Sequence, residues 1–117
     1  MITYKKRFTL EQRIKESSRI LSKYSNRVPI IVEKAKNNSK VPNIDRNKFL
    51  VPNDITMGQF LYVIRKRMKL KSYISIYLFV NDHVIIPTNQ LISHVYEEYK
   101  DQDKFLYISY TGENTFG

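Results

Sequence analysis

The chain contains no cysteine and no tryptophan among its 117 residues. Without cysteine it has no disulfide, no thiolate nucleophile and no cysteine-based metal site. No apolar run approaches the roughly eighteen residues that a membrane-spanning helix needs, and residues 1–8 are basic without the apolar block of a signal peptide. Because 42% hydrophobic content suffices for one core in a chain of this length, we expect a single cytoplasmic domain.

Acidic residues are scarce in the first two thirds of the chain. Residues 1–27 carry eight basic and two acidic residues, and residues 55–81 carry five basic residues and no acidic one. Residues 82–117 reverse this balance with two basic and six acidic residues, and the net charge is +9. A basic surface suits an acidic protein, anionic lipid or nucleic acid, and charge alone does not choose among them.

Catalytic groups are also sparse. His83 and His94 are isolated, and no nucleophile, base and orienting group converge in the sequence. We expect both histidines to be surface or turn residues. We also expect no enzymatic activity, no cofactor and no bound metal.

Residues 48–70, KFLVPNDITMGQFLYVIRKRMKL, are the stretch around which the chain is organised, and they predict a strand, a turn and a helix. Side chains alternate along a strand, so Lys48 and Leu50 point to one side, whereas Phe49 and Val51 point to the other. Pro52 lacks an N–H, which favours the end of a strand or the edge of a sheet. Both sides of this strand are therefore apolar enough to pack.

The helix of this stretch is predicted to begin after Thr56, whose hydroxyl can cap it. Its inward stripe recurs at three- and four-residue steps: Met57, Phe60 or Leu61, Ile64 and Met68. Its last turns are basic, with Arg65, Lys66, Arg67 and Lys69. An amphipathic helix beside an apolar edge strand leaves a groove, in which an extended peptide can add one more strand.

The N-terminal segment predicts a second amphipathic helix. Residues 2–8 are compatible with one helical turn or with a strand-like arm, whereas Thr9 and Gln12 form a capping box for the helix that follows. Its predicted inward face consists of Leu10, Ile14, Ser17, Leu21 and Tyr24. Ile20 then lies on a neighbouring face beside Glu16, as an exposed isoleucine or a peripheral core contact.

The other segments alternate between strand-forming residues and turn formers. They predict, in chain order, a strand at 28–32 with Pro29 near its entrance, a loop at 36–47, a strand at 73–80, a turn at Asn81-Asp82, a returning strand at 84–86, a helix capped by Thr88 or Asn89, and a strand at 105–110. The inward residues of that last helix are Leu91, Ile92, Val95, Tyr96 and Tyr99.

This order predicts an α+β fold, the ubiquitin-like β-grasp, with a mixed four-stranded sheet and an N-terminal helical extension. The extension covers residues 1–27, the β-grasp core residues 28–110, and a mobile tail residues 111–117.

Several sequence blocks at fixed spacing carry a family resemblance. KYSNRVPIIVEKA (23–35), KFLVPNDITMGQFLYVIRKR (48–67), FVND (79–82) and FLYISY (105–110), followed by the closing Phe116-Gly117, closely resemble the ubiquitin-like autophagy modifiers. That family includes the GABA type A receptor-associated protein. The resemblance extends from about residue 8 to residue 117.

The resemblance implies attachment of Gly117 to phosphatidylethanolamine on autophagosome membranes, where the lipidated chain recruits cargo receptors and autophagy machinery through linear-motif peptides. It implies activating and conjugating enzymes as partners and a cysteine protease that removes the chain from lipid. Unlipidated chain is expected in the cytoplasm, and nucleic acid is not an expected partner.

The resemblance also implies two pockets for an aromatic-x-x-aliphatic motif. The aromatic-anchor pocket would be lined by Glu16, Ile20, Pro29, Lys48, Leu50 and Phe105. The aliphatic-anchor pocket would be lined by Phe49, Val51, Pro52, Ile55, Phe60 and Val63. Arg46 would meet acidic residues before the motif, and Arg67 resembles an arginine that the family uses in protease recognition.

Three positions depart from the family pattern. Ser25 and Ile86 stand where prolines are usual, and nothing follows Gly117. Either the natural chain is made with its glycine exposed, or this is a processed or engineered form. Two other functions stay open: the same conjugation used to maintain a non-autophagic organelle, and a basic module that binds nucleic acid or anionic membranes. The chain lacks a clustered RNA-binding signature.

Overall fold

The computed structural model describes residues 2–36, 40–81 and 83–112. Its elements are α1 (Tyr4–Arg7), α2 (Leu10–Lys23), β1 (Arg27–Lys34), β2 (Lys48–Pro52), α3 (Met57–Met68), β3 (Tyr77–Val80), β4 (Val84–Ile85), α4 (Ile92–Tyr99) and β5 (Leu106–Thr111). The strands form one mixed sheet in the order β2-β1-β5-β3-β4. Strands β1 and β5 run parallel, and the other neighbouring strands run antiparallel. The sheet has five strands rather than the predicted four because the two-residue β4 pairs with β3.

The main core lies between α3 and one face of the sheet. Met57, Phe60 and Ile64 are the buried residues of α3, as the helical spacing predicts. The same core contains alternate residues of three strands: Val28, Ile30 and Val32 of β1, Leu106, Ile108 and Tyr110 of β5, and Leu78 and Val80 of β3. Helix α4 adds Ile92 and Val95. Full burial of an aliphatic or aromatic side chain stabilises a fold by about 1.5–3 kcal/mol, so this cluster dominates the stability.

A smaller core, the N-terminal cluster, lies on the opposite face of the sheet beneath α1 and α2. It consists of Tyr4, Ile20, Ile31 and Phe105. Neighbouring residues of a strand point to opposite faces, so β1 serves both cores. Helix α1 settles the open question about residues 2–8 in favour of a helical turn, whose cap is Thr3.

The predicted inward face of α2 is correct at Ser17 and partly at Tyr24, and wrong at Leu10 and Ile14. Arg13, Ser17 and Ile20 are its buried residues, whereas Leu10 and Ile14 are 37% and 36% exposed. The inward face therefore contains a charged and a hydroxyl side chain, and Ile20 is a core residue rather than an exposed one. The capping box is as predicted, since Gln12 N–H donates to the Thr9 hydroxyl and Thr9 N–H donates to the Gln12 side chain.

A buried polar network joins α2 to the start of β5. Arg13 Nη1 lies 2.6 Å from Asp103 Oδ2, and the Tyr107 hydroxyl donates to the same oxygen at 2.5 Å. Ser17 donates its hydroxyl to the Asp103 carbonyl at 2.7 Å. The Arg13 and Asp103 side chains are only 10% and 0% exposed, so each charge depends on the other for compensation. Burial and the hydrogen bond to Asp103 raise the pKa of Tyr107, which keeps its hydroxyl a donor.

Two further element boundaries differ from the predictions. Strand β3 begins only at Tyr77, because Arg65 donates hydrogen bonds to the carbonyls of Lys71 and Ile74 and holds the preceding residues in a turn. Helix α4 begins after Leu91, which has no side-chain capping bond and is 37% exposed, so neither Thr88 nor Asn89 is its cap.

Candidate peptide-binding site

Strand β2 is an edge strand of the sheet, as Pro52 predicts. In its antiparallel pairing with β1, Val32 N–H donates to Asn47 O and Asn53 N–H donates to Asn26 O. Because hydrogen-bonded and non-hydrogen-bonded pairs alternate, the backbone groups of Lys48, Leu50 and Pro52 point away from β1. Lys48 and Leu50 thus offer N–H groups at the open edge, where an extended peptide can pair with β2.

The two faces of β2 contact the two cores. Phe49 and Val51 pack into the main core, where the rings of Phe49 and Phe60 meet edge to face with centroids 5.6 Å apart. Leu50 packs instead against the N-terminal cluster. A peptide along this edge therefore runs between two apolar regions on opposite sides of the sheet.

The six residues predicted for the aromatic anchor are brought together around the N-terminal cluster. Glu16 and Ile20 lie on α2, Pro29 on β1, Lys48 and Leu50 on β2, and Phe105 directly before β5. Ile20 and Phe105 are 0% exposed and Pro29 is buried, so these three contact a ligand only if neighbouring side chains move. The other three are half-buried and offer surface directly.

An ion pair joins α2 to β2 at this region. The Lys48 ammonium contacts Glu16 Oε2, and Arg19 Nε lies 2.8 Å from the other carboxylate oxygen. Hydrogen bonds from Arg19 and then Lys48 lower the pKa of Glu16 from 4.5 to about 2. Glu16 therefore stays ionised at neutral pH and places a negative charge beside the basic residues at the start of β2.

The aliphatic-anchor residues lie at the other end of β2. Val51 and Phe60 are 4% and 0% exposed and belong to the main core, whereas Val63 is 42% exposed. An open cavity of about 660 Å³ contains three of the six predicted residues, and its lining is Pro52, Ile55, Thr56, Gly58, Gln59, Tyr62, Val63, Thr88 and Asn89. This cavity is wide enough for an aliphatic side chain and extends past the predicted pocket toward Tyr62 and Thr88.

The start of β2 borders a second, more polar hollow of about 900 Å³. It is lined by Asp45, Arg46, Asn47, Lys48, Phe49, Leu50 and Arg67. The predicted cations Arg46 and Arg67 thus meet at one site with Lys48. Arg67 is not simply solvated, since its guanidinium forms two hydrogen bonds with Asp45 at 2.9 and 3.3 Å. The hollow carries a net positive charge, which suits acidic residues of a peptide.

Sequence reasoning missed three contributors to this site. Arg27 Nη1 donates to the Leu50 carbonyl at 3.0 Å and so occupies one acceptor at the open edge. Thr88 belongs to the aliphatic cavity because its carbonyl accepts a hydrogen bond from Gly58 N–H at 2.9 Å. A Cβ on Gly58 would lie only 3.2 Å from that oxygen, a tight contact that a larger residue could make only if the Thr88 backbone shifted by a few tenths of an ångström. Tyr62, 66% exposed, is the third.

The other site predictions have simpler outcomes. His83 and His94 are exposed, as expected. Gly117, the predicted conjugation residue, and most of the tail predicted at 111–117 lie outside the described residues. Within the described ranges, no helix is long and apolar enough to cross a bilayer, and no three potential metal ligands cluster.

A five-stranded mixed sheet with α3 across one face and helices before it defines a ubiquitin-like fold. The family model described as "Autophagy protein Atg8 ubiquitin like" matches residues 12–117. Autophagy-related protein 8e of Arabidopsis thaliana is 59% identical over 107 residues, which cover 92% of this chain and 86% of the relative. Autophagy-related protein 8 of Candida albicans is 54% identical and covers 97% of this chain and 83% of the relative.

Two solved structures share the fold over the whole chain. Trypanosoma brucei ATG8 superposes with a TM-score of 0.90 at 40% identity and covers 100% of this chain and 99% of that one. Plasmodium falciparum Atg8, solved in complex with a Plasmodium falciparum Atg3 peptide, has a TM-score of 0.89 at 35% identity. The match covers 99% of this chain and 100% of that one. This chain belongs to the Atg8 family of ubiquitin-like autophagy proteins, which confirms the predicted family and fold class.

Proposed function

We propose that the chain is a modifier attached through Gly117 to phosphatidylethanolamine on autophagosome membranes, where it recruits cargo receptors and autophagy machinery. The observation that carries the recruiting role is the open edge of β2 between two cores, with a cavity at one end and a basic hollow at the other. Membership of the Atg8 family supports the attachment.

The site favours short linear motifs with two apolar anchors. Strand pairing at the Lys48 and Leu50 N–H groups fixes the register, and anchors on alternate sides reach the two apolar regions. Each buried anchor contributes about 1.5–3 kcal/mol, and ordering the peptide offsets part of this. We therefore expect micromolar affinity for a single motif, raised by the many copies attached to one membrane.

The solved complex of the Plasmodium falciparum relative with an Atg3 peptide supports a peptide site in this fold. We extend it to the partners of a conjugation cycle: an activating enzyme, a conjugating enzyme and a cysteine protease that releases the chain from lipid. In this cycle the chain is the substrate and performs no catalysis. It is cytoplasmic before lipidation and membrane-bound afterwards, because the two acyl chains of the lipid hold it more firmly than one would.

The attachment is tested by reconstitution with activating and conjugating enzymes, ATP and phosphatidylethanolamine vesicles. The native chain should gain lipid, and the Gly117→Ala variant should gain much less, because the conjugating machinery must accommodate the side chain next to the reacting carboxyl group. Lipid transfer is read from a mobility shift and from mass spectrometry. Equal lipidation of both chains, or of neither, contradicts attachment through Gly117.

The groove is tested with aromatic-x-x-aliphatic peptides. Leu50→Ala removes half-buried apolar surface from the aromatic side, and Val63→Ala removes exposed surface from the aliphatic side, so each should weaken binding about 5- to 30-fold. Leu10→Ala is the matched control, because Leu10 is 37% exposed on α2 and outside both pockets. Isothermal titration measures all three. Unchanged affinity of the Leu50 variant removes the aromatic pocket from the proposal.

A further inference from the structure

The described chain ends at one end of the sheet, and its surroundings there are fixed by backbone pairing. Thr111, the last residue of β5, pairs with Tyr77 at the start of β3. On the other side of β5, Tyr110 pairs with Lys34 at the end of β1, and the Ala35 N–H donates to the Tyr110 carbonyl at 2.8 Å. The last described residues of the chain therefore lie beside the start of β3 and the end of β1.

The basic end of α3 lies at this same end of the sheet. Arg65 donates to the Ile74 carbonyl at 2.5 Å and to the Lys71 carbonyl at 2.9 Å, which ties the last turns of α3 to the segment that leads into β3. Arg67 pairs with Asp45, and the loop containing Asp45 is itself bound to β5, since Ile44 N–H donates to the Tyr110 hydroxyl. The two Arg65 bonds and the two long-range contacts of the Asp45 loop thus bring the end of α3 close to the end of β5.

We define the exit face as Lys66, Lys69, Lys71 and Tyr73. All four side chains are exposed, and Tyr73 is 77% exposed, the highest value among the large hydrophobic residues of the described ranges. None of the three lysines has an ion-pair partner in the part of the chain that the structure describes. Asp45, which contacts the last turn of α3, is already paired with Arg67. The exit face therefore combines three lysines that lack ion-pair partners among the described residues with an exposed tyrosine.

This composition matches the chemistry of a membrane surface. Anionic lipids attract lysines near the bilayer, and this attraction falls off within roughly 8 Å at physiological salt. Tyrosine is favoured at the headgroup level because its ring is apolar and its hydroxyl is polar. The five residues from 113 to 117 span at most about 18 Å, so a chain attached through Gly117 keeps the end of β5 close to the bilayer.

We propose that the exit face is a second membrane contact, which takes anionic lipid headgroups once the chain is attached through Gly117 and so orients the sheet on the bilayer. The inference rests on the proposed attachment and adds the lipid class to it. With the exit face on the membrane, the open edge of β2 is presented to partners in a defined orientation.

The test replaces enzymatic attachment by chemical coupling, so that its failure is distinct from failure of the conjugation proposal. Because the chain has no cysteine, a Gly117→Cys variant couples at one site to a maleimide lipid in phosphatidylcholine vesicles with or without phosphatidylserine. Because it has no tryptophan, Tyr73→Trp provides a single fluorescent reporter on the exit face. Tyr62→Trp is the matched reporter at the aliphatic cavity, since Tyr62 lines that cavity and is 66% exposed.

Brominated lipids that quench tryptophan report contact. We expect quenching of the Tyr73→Trp reporter only with phosphatidylserine, its loss at high salt, and little quenching of the Tyr62→Trp reporter. Combined Lys66→Glu, Lys69→Glu and Lys71→Glu changes should lower the affinity of the uncoupled chain for phosphatidylserine vesicles about tenfold or more and abolish quenching in the coupled chain.

The control variant combines Lys15→Glu, Lys23→Glu and Lys104→Glu, which make the same change in net charge on exposed lysines near the opposite end of the sheet. In this control variant, brominated lipids should still quench the Tyr73→Trp reporter. Lys69 and Lys104 both have positive φ, so the two variants also match in backbone conformation. Equal quenching of both reporters, equal loss in both triple variants, or quenching that ignores phosphatidylserine overturns the proposal. The proposal is also overturned if the triple lysine-to-glutamate variant of the exit face loses RNA binding but keeps its lipid contact.

Discussion

The main core and the N-terminal cluster occupy opposite faces of one sheet but are assembled by different means. The main core is built from many aliphatic and aromatic side chains, and Phe60 and Ile64 enter it from a helix whose spacing is regular. Among the described residues, the N-terminal cluster has four buried apolar residues, and α2 is held beside it by the buried Arg13–Asp103 pair. One face of the sheet is therefore stabilised by burial that many residues share, and the other depends on a few polar contacts.

The largest expected effect tests that dependence directly. Asp103→Ala leaves the Arg13 guanidinium buried without its counter-ion, so we expect a loss of about 3–5 kcal/mol in the free energy of unfolding. Hydrogen exchange should show the loss concentrated in α2, while α3 keeps its relative protection. Urea unfolding measures the total.

Glu97→Ala is the control for this prediction. Its carboxylate pairs with Lys100 at 3.0 Å, but the Glu97 side chain is 71% exposed, so we expect a change below about 1 kcal/mol. A similar small cost for the Asp103 variant would mean that the N-terminal cluster does not depend on the buried pair.

A smaller effect concerns pH. The pKa of Glu16 is lowered from 4.5 to about 2, so its ion pairs stabilise the fold above pH 4.5 and this contribution is lost as the pH falls from about 4.5 to 2. Glu16→Gln should be less stable than the native chain at neutral pH by about 1–2 kcal/mol at most, since solvent screens the pair. The two unfolding curves should converge at the acid end.

Glu98→Gln provides the comparison for pH, since Glu98 is exposed on α4. Its stability should follow that of the native chain across the acid range. A constant difference between the Glu16 variant and the native chain at all pH values would show that the carboxylate contributes packing rather than charge.

The smallest effect compares the same capping device in both regions. Thr9 caps α2 with Gln12, and Thr56 caps α3 with Gln59. Replacing either threonine with alanine should cost about 1 kcal/mol. Thr56→Ala should lower the global stability by that amount, whereas Thr9→Ala should appear mainly as faster hydrogen exchange at the start of α2. Equal global losses would mean that the two regions unfold as one unit.

The buried face of a helix can be predicted from the sequence where the local spacing of apolar residues determines it. The stripe of α3 is correct because Met57, Phe60 and Ile64 are all apolar and nothing polar competes for that face. The stripe of α2 is correct at Ser17 but misses Arg13, which is buried against Asp103, 90 residues further along the chain. No window around Arg13 contains that information.

The candidate site also has some features that single residues predict and others that depend on contacts between distant segments. Pro52 correctly indicates an edge strand because the missing N–H is a property of the residue itself. The extension of the aliphatic cavity toward Thr88 depends on the hydrogen bond from Gly58, which forms only when α3 and the following loop meet. Of the two alternatives for Ile20, the core contact is correct, because the buried Arg13 and Ser17 bring that face of α2 toward the sheet.

The proline at the end of β2 affects how two copies of the chain could pair at their open edges. Two copies that met edge to edge, antiparallel and centred on Leu50, would place Lys48 of each opposite Pro52 of the other. Each such pair would lack one of its two backbone bonds, because proline has no donor. Under the proposed attachment, copies crowded on one membrane would therefore pair edge to edge less favourably than a strand with a full set of backbone donors would pair with the same edge.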